Sequence, residues 1–207
     1  MASSLEERPN CLDIFQPSTG CRMTSESLLT LFNENAETVS AKVHRVASLD
    51  EAFAYAVELT RSQGGVLMAA PGWDEAELKA LGLHCQELGI EILTSGLRQA
   101  VNNIHTGLTK TQWGAASTGT LVVDSASEDI RLATMLCETH VAVLEEENIF
   151  PSLESLAPEL TRLMASGAGY TAFISGPSRT ADIELVLTEG VHGPQEVHIL
   201  ILTRGSQ

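Results

Sequence analysis

The chain has 207 residues, a mass of 22.1 kDa and 43% hydrophobic residues, which fits one globular domain, excludes a disordered chain and removes any need for a disulfide or metal staple. Twelve Lys and Arg stand against 27 Asp and Glu, a net charge of −15. That balance argues against nucleic acid or an anionic membrane surface as partner, since both are bound by basic faces. It leaves room for a small anion, which needs only one Arg or a helix N-terminus.

Met1 to Met23 is polar, holds two Pro and lacks an apolar h-region, so it reads as an N-terminal arm of low order rather than a secretory signal. No apolar run approaches the roughly 18 residues of a membrane span. The four cysteines, Cys11, Cys21, Cys85 and Cys137, form no C-x-x-C pair. The expectation is therefore a cytoplasmic chain with reduced thiols and no metal or iron–sulfur cluster of its own; Cys11 and Cys21 are either two free thiols on the arm or a pair.

From residue 24 to residue 207 the pattern is that of a single α/β domain. Thr24–Val39 is amphipathic with Leu28, Phe32, Ala36 and Val39 on one stripe, and a short strand follows at Lys42–Val46. Ser48 and Glu51 have capping-box spacing before a helix whose buried stripe is Phe53, Ala56, Val57 and Thr60, with Gly64-Gly65 after it. Val66–Ala70 is apolar without alternation, the pattern of a strand covered on both faces in a parallel sheet. Asp74 opens a helix carrying Leu78, Leu81, Cys85 and Leu88, then Ile90–Leu93 is a strand and Leu97–Ile104 gives one or two helical turns.

Trp113–Asp124 reads as two extended segments around Gly119, Ser127–Leu136 as a short helix and His140–Leu144 as a strand. Pro151–Met164 is helical and bent or restarted at Pro158. Tyr170–Ile174 is a strand, Ser178–Thr188 a helix and Glu196–Leu202 a last strand. Alternating strands and helices predict helices on both faces of a mostly parallel sheet.

Three stretches carry chemistry. Ser175-Gly176-Pro177-Ser178-Arg179-Thr180 lies between a strand and an expected helix. Gly176 would let backbone approach an anion, Ser178 could cap the helix, its free N–H groups would point outward, and Arg179 adds a full charge. The alternative is an ordinary cap and turn with Arg179 paired to Asp182 or Glu184. Gly190-Val191-His192-Gly193-Pro194 sets His192 in a tight turn, either as an acid/base or donor to substrate or as a turn histidine satisfying backbone. Thr118-Gly119-Thr120 lines a pocket or makes a hairpin corner. Among the thiols, Cys85 falls on an apolar stripe and reads as core, while Cys137 precedes a strand and is expected half exposed. His44, His84 and His198 read as surface or satisfied positions, and His105 and His140 stay open. No G-x-S-x-G, H-E-x-x-H or strand-following G-x-G-x-x-G is present, so no catalytic or nucleotide fingerprint is evident in this chain alone.

The segment "FISGPSRTADIELVLTEGVHGPQEVHILIL" resembles the signature of the LUD-domain family. Upstream, "LTKTQWGAASTGTLVVDS" is similar to the family's T-x-x-x-x-A-x-T-G-T-L stretch and "RLATMLCETHVAVL" to its R-L-x-x-L-L-P-x-x-H-V-x-V segment. Together these cover residues 107–202. Two departures stand out: Ser117 replaces the usual acidic residue before T-G-T, and Cys137 replaces the usual Pro. The short chain resembles the family's small, C-type component. That resemblance implies a three-layer α/β/α sandwich like the NagB/RpiA/CoA-transferase superfamily. It also implies a part in oxidising lactate to pyruvate beside two iron–sulfur lactate utilisation proteins, which would carry the clusters. The expected ligand is a small anion, held by Thr118, Gly119, Thr120, Gly176, Ser178, Arg179, Thr180 and His192. The alternative is a stand-alone enzyme or binding protein for a phosphorylated or CoA-type ligand on the same fold.

Overall fold

The computed structural model describes residues 24–165, 169–181, 187–189 and 193–203, with backbone alone at 179–181 and 187–189. The N-terminal arm, with Cys11 and Cys21, and His192 lie outside the described residues.

Helix α1 (Ser25–Thr38) is capped by Thr24, whose hydroxyl accepts from Ser27 N, and it buries Leu29, Phe32 and Ala36. Strand β1 (Lys42–Val46) leads to α2 (Leu49–Ser62). Ser48 caps α2 as the spacing predicts, but Glu51 reaches back to Ala47 N rather than to the cap residue's own N–H. Every residue of the expected stripe, Phe53, Ala56, Val57 and Thr60, is buried. Strand β2 (Leu67–Ala69) is followed by α3 (Glu75–Leu88), where Asp74 and Glu77 form the complete capping box. Then come β3 (Glu91–Leu93) and two turns of 3-10 helix at Leu97–Gln99 and Val101–Asn103.

The sequence pattern missed β4 (Thr106–Thr111), which enters the middle of the sheet. Its TGLTKT sequence lacks an apolar run. Burial succeeds because the threonines find polar partners: Thr60 Oγ1 donates to Thr106 Oγ1 at 2.7 Å, and Thr109 Oγ1 lies 2.9 Å from His140 Nε2. The chain continues through β5 (Trp113–Ala115) and β6 (Thr120–Asp124), which pair antiparallel, to α4 (Glu128–Met135), β7 (Thr139–Glu145) and a two-residue β8 (Ile149–Phe150). Helix α5 (Ala157–Ala165) starts afresh after a Ser152–Ser155 turn, which leaves Pro158 in its first turn, where the missing N–H costs nothing. Strand β9 (Thr171–Ile174) follows.

The expected helix at Ser178–Thr188 is not formed. Its described residues are β10 (Arg179–Ala181) and β11 (Leu187–Glu189), paired antiparallel. Of the described residues, Thr180 and Thr188 are β-branched, and such side chains favour extended backbone; 182–186 lie outside the described residues. Strand β12 (Glu196–Leu202) closes the main sheet.

That sheet has the order β1-β12-β7-β4-β2-β3, with every neighbouring pair parallel. One face carries α2 and α3 over Met68, Leu108, Val141, Val143 and Leu200. The other carries α1, packed on Ala142, Leu144, Ile199 and Ile201, and α4, packed near Ala69. This face also holds a feature the sequence did not announce, a four-stranded sheet β8-β5-β6-β9. The fold is therefore α/β, with a parallel sheet between helical layers and a small second sheet built into one layer.

Candidate functional site

The Thr118-Gly119-Thr120 stretch is the corner between antiparallel β5 and β6. Gly119 has φ +59, and a Cβ built on it would lie 2.2 Å from Ala36 N, in the last turns of α1. Asn35 Nδ2, from the same turns, donates to Ala116 O at 2.8 Å. The Ser175–Ser178 loop descends beside this corner. Gly176 has φ +76, and its Cβ would meet Val39 O at 2.0 Å. Both glycines are thus required by contact with the C-terminal end of α1, a structural demand independent of any ligand.

Hydroxyls join the two loops. Thr120 Oγ1 lies 2.7 Å from Thr118 Oγ1 and 2.8 Å from Ser175 Oγ. Ser178 N donates to Pro194 O at 2.9 Å, and Gly193 packs against the Ser178 side chain. The structure therefore brings Thr118, Gly119, Thr120, Gly176 and Ser178 to one place, with the backbone of Arg179 and Thr180 running on from it.

A loop between a strand of a parallel sheet and a helix would emerge at the sheet's carboxyl edge, and this cluster does not. Helix α1 leads into the start of β1, and Pro194 precedes the start of β12, so the cluster sits at the amino edge of the parallel sheet. Strand β9 belongs to the antiparallel sheet, which delivers its end there. With no helix after Ser178, the expected helix N-terminus is missing, and the nearest helix end is the C-terminus of α1, whose partial negative charge opposes an anion. Within Ser175–Thr180 the one cationic residue is Arg179.

On the same face, His140 is wholly buried on β7. Its Nε2 contacts Thr109 and its Nδ1 has no hydrogen-bond partner. Burial pushes its pKa down to about 4. Cys137, expected half exposed, is only 4% exposed: its Sγ turns back to donate to Ala133 O at 3.0 Å, beneath Gly107. Burial pushes that thiol up to about 12 and Cys85 up to about 11, so neither is poised as a thiolate.

Residues 29–202 match the LUD domain. The chain belongs to the LUD domain family. The Lactate utilization protein C of Geobacillus thermodenitrificans is 26% identical, over 87% of this chain and 80% of that protein, and the one of Bacillus subtilis is 24% identical over 87% and 81%. An uncharacterized protein of Neisseria meningitidis is 36% identical over 48% of this chain and 43% of its own length. The crystal structure of a DUF162 family protein from Deinococcus radiodurans shares the fold, with a TM-score of 0.61 at 15% identity, covering 87% of this chain and 99% of that one.

In this LUD domain the opposite sheet face carries a polar chain that the sequence reading missed. Glu196 accepts from Lys42 Nζ at 2.8 Å and from Gln63 Nε2 at 2.9 Å. Its Oε2 also lies 2.9 Å from His198 Nε2. The Tyr55 hydroxyl sits 2.7 Å from His198 Nδ1 and 2.8 Å from His44 Nε2. The Lys42 and His198 contacts hold the Glu196 carboxyl down to about 2, so it is an ionised acceptor and His198 Nε2 carries the proton. His198 Nδ1 then accepts from the Tyr55 hydroxyl, which accepts from His44 Nε2–H. Burial pushes both histidines below the usual range and Tyr55 above it, so the chain is set in one direction at neutral pH.

Tyr55→Phe leaves His198 Nδ1 unpaired in a side chain 3% exposed, and the expected loss is about 1–3 kcal/mol in a urea melt. An unchanged midpoint would show that the hydroxyl bonds contribute nothing net.

Proposed function

We propose that this LUD domain is the small component of a cytoplasmic lactate-utilisation system that oxidises lactate to pyruvate, working beside two iron–sulfur proteins that carry the redox centres. The observation that supports this reading is the match to Lactate utilization protein C of Geobacillus thermodenitrificans over 87% of the chain and 80% of the relative. We further propose that a small anion, a carboxylate or phosphate, binds at the amino-edge loops. Arg179 supplies charge there, with Thr118, Thr120, Ser178 and Thr180 as hydroxyl donors, Gly119 and Gly176 shaping the backbone, and His192 as a further donor. Its support is the adjacency of the two motif loops, tied by the Thr120–Ser175 contact at 2.8 Å.

Deletion of the gene is expected to abolish growth on L-lactate as sole carbon source while leaving growth on glucose intact, and affinity capture of the tagged chain from lactate-grown cells is expected to bring down cysteine-rich, coloured partners. Normal growth of the deletion strain on lactate would overturn the role. For the site, Arg179→Ala should weaken binding of lactate, pyruvate or phosphate by about 1.5–3 kcal/mol in calorimetry, the range for a charge-assisted hydrogen bond. It should shift stability by no more than about 1 kcal/mol. A destabilised variant with unchanged binding would make the loop a structural turn.

A further inference from the structure

The carboxyl edge of the parallel sheet, opposite the motif loops, has its own crevice. The chain leaving β2 enters α3 on one sheet face, whereas the chain leaving β4 enters the small sheet and α4 on the other. Between such diverging connections the strand ends are left open, and α/β sheets hold their ligands there. A cleft of about 190 Å³ occupies this position. A second, of about 180 Å³, adjoins it, and Glu145 and Leu202 line both.

In the first cleft Leu49, Trp73, Val143 and Leu202 make an apolar wall. The polar groups around them are already engaged within the fold. Lys110 Nζ donates to both oxygens of Glu77, at 2.7 and 2.6 Å, and lies 4.8 Å from the centre of the Trp73 ring. The Trp73 indole N–H donates to Leu108 O at 3.0 Å, and Gln112 Oε1 accepts from Asp124 N. The cleft is smaller than the roughly 300–1,000 Å³ of drug-sized pockets, so it suits one or two apolar side chains. The second cleft is acidic: Glu145, Glu146 and Glu147 line it with Ser25 and Leu202. An anion is repelled from such a rim, and so is another copy of a chain whose net charge is −15.

Ser25 points to the occupant. It is the first residue of α1, so the arm Met1–Met23 joins the described fold at this crevice, upstream of the LUD match, which begins at residue 29. Arg22 stands three residues before Ser25, at most about 10 Å of extended chain, which puts its charge within reach of Glu146 and Glu147. Phe15 stands ten residues before Ser25, a span of up to about 35 Å, enough to enter the neighbouring cleft. With Leu12 and Ile14 it forms the densest apolar group of the arm. Residues 10–23 hold one acid, Asp13, and one base, Arg22, so they bring no net charge to the acidic rim. A short tether also gives the arm an effective concentration of order mM, an advantage that no separate molecule has. We propose that the arm folds back over the carboxyl edge, with Leu12, Ile14 and Phe15 against Leu49, Val143 and Leu202 and with Arg22 beside Glu146 and Glu147. The protein's own N-terminal segment thereby occupies the crevice.

The test is paramagnetic relaxation in the full chain. Cys85 and Cys137 are buried, so a thiol-reactive nitroxide added to a Cys21→Ser chain reports from Cys11, next to Leu12. Its broadening should concentrate on the amide protons of Leu49, Asn148 and Leu202 and spare Ser175 and Ser178 at the amino edge. Replacing Leu12 and Phe15 together by Ser should lower the docked-to-free ratio of the arm about tenfold or more, the scale of a large apolar side chain withdrawn from a pocket, and the crevice broadening should fade with it. Arg22→Glu, which sets a like charge beside Glu146 and Glu147, should reduce it as well. Undiminished crevice broadening in either variant overturns the proposal, as does broadening spread evenly over both sheet edges. So does crevice broadening of an isotope-enriched, nitroxide-free chain by a nitroxide-bearing copy mixed with it, which would make the occupant a second copy.

Discussion

Gly119→Ala is expected to lower stability by about 2–5 kcal/mol. Two costs add. An alanine held in the left-handed region loses about 1–2 kcal/mol, and overpacking adds about 1–3 kcal/mol. The atoms in the way are Ala36 N and Cα, at 2.2 and 2.5 Å from the new Cβ. Both belong to the backbone of a helix pinned to the β5–β6 corner, so no rotamer change relieves the clash. Gly64 supplies the control: its φ is +83, yet its Cβ would meet nothing within 4 Å. Gly64→Ala should therefore cost only the conformational part. Urea melts of both variants against the parent separate the two costs. Equal losses would mean that α1 and the corner are not in the close contact described.

His140→Gln is expected to flatten the acid side of the pH–stability curve. The imidazole has an ordinary pKa near 6.5 when unfolded and about 4 in the fold. Between those values the unfolded chain binds the proton and the native chain refuses it, so native stability falls as pH falls from about 6.5 towards 4. For this one group the loss between pH 7 and pH 5 is about 2 kcal/mol. Gln keeps a nitrogen to face Thr109 but does not titrate. The variant should consequently lose about 2 kcal/mol less than the parent over that interval, although its stability at pH 7 can be lower. His44 and His198 are shifted in the same direction, so the variant's curve keeps some slope. Glu196, held down to about 2, has the opposite unfolded reference and contributes its loss only below about pH 4.5. Parallel curves for parent and variant would show that His140 is protonated as easily in the native chain as in the unfolded one.

Both residues lie in stretches where the family resemblance was read, yet neither role could be read from the motif. Thr118-Gly119-Thr120 allowed a pocket lining or a hairpin corner, and the corner is what forms, because the partner of Gly119 is a helix more than eighty residues earlier in the chain. His140 was open for the same reason. Its burial depends on β4 lying beside β7, and β4 was not recognised: its threonines carry no apolar signal until Thr60 and His140 are there to satisfy them. The helix expected at Ser178–Thr188 failed differently. An apolar spacing compatible with a helix coincided with β-branched residues, and the described residues pair antiparallel as β10 and β11 instead.

What the sequence determined by itself was local. The caps at Thr24, Ser48 and Asp74 and the buried stripe of α2 follow from interactions within a few residues of each other, so they are written in contiguous chain; of the Val66–Ala70 segment, expected to be covered on both faces, Met68–Ala70 is buried while Val66 is 60% exposed. The α/β class follows from their alternation. The edge of the sheet at which each loop emerges could be decided only in three dimensions. Lys42 pairs with His198, joining opposite ends of the chain and assembling Glu196, His198, Tyr55 and His44 from three elements. The small sheet turns β9 downward and carries its motif loop to the amino edge. Strand pairing over such separations is set by which faces can be buried together and which polar atoms can be satisfied at once, and neither is a property of any one segment.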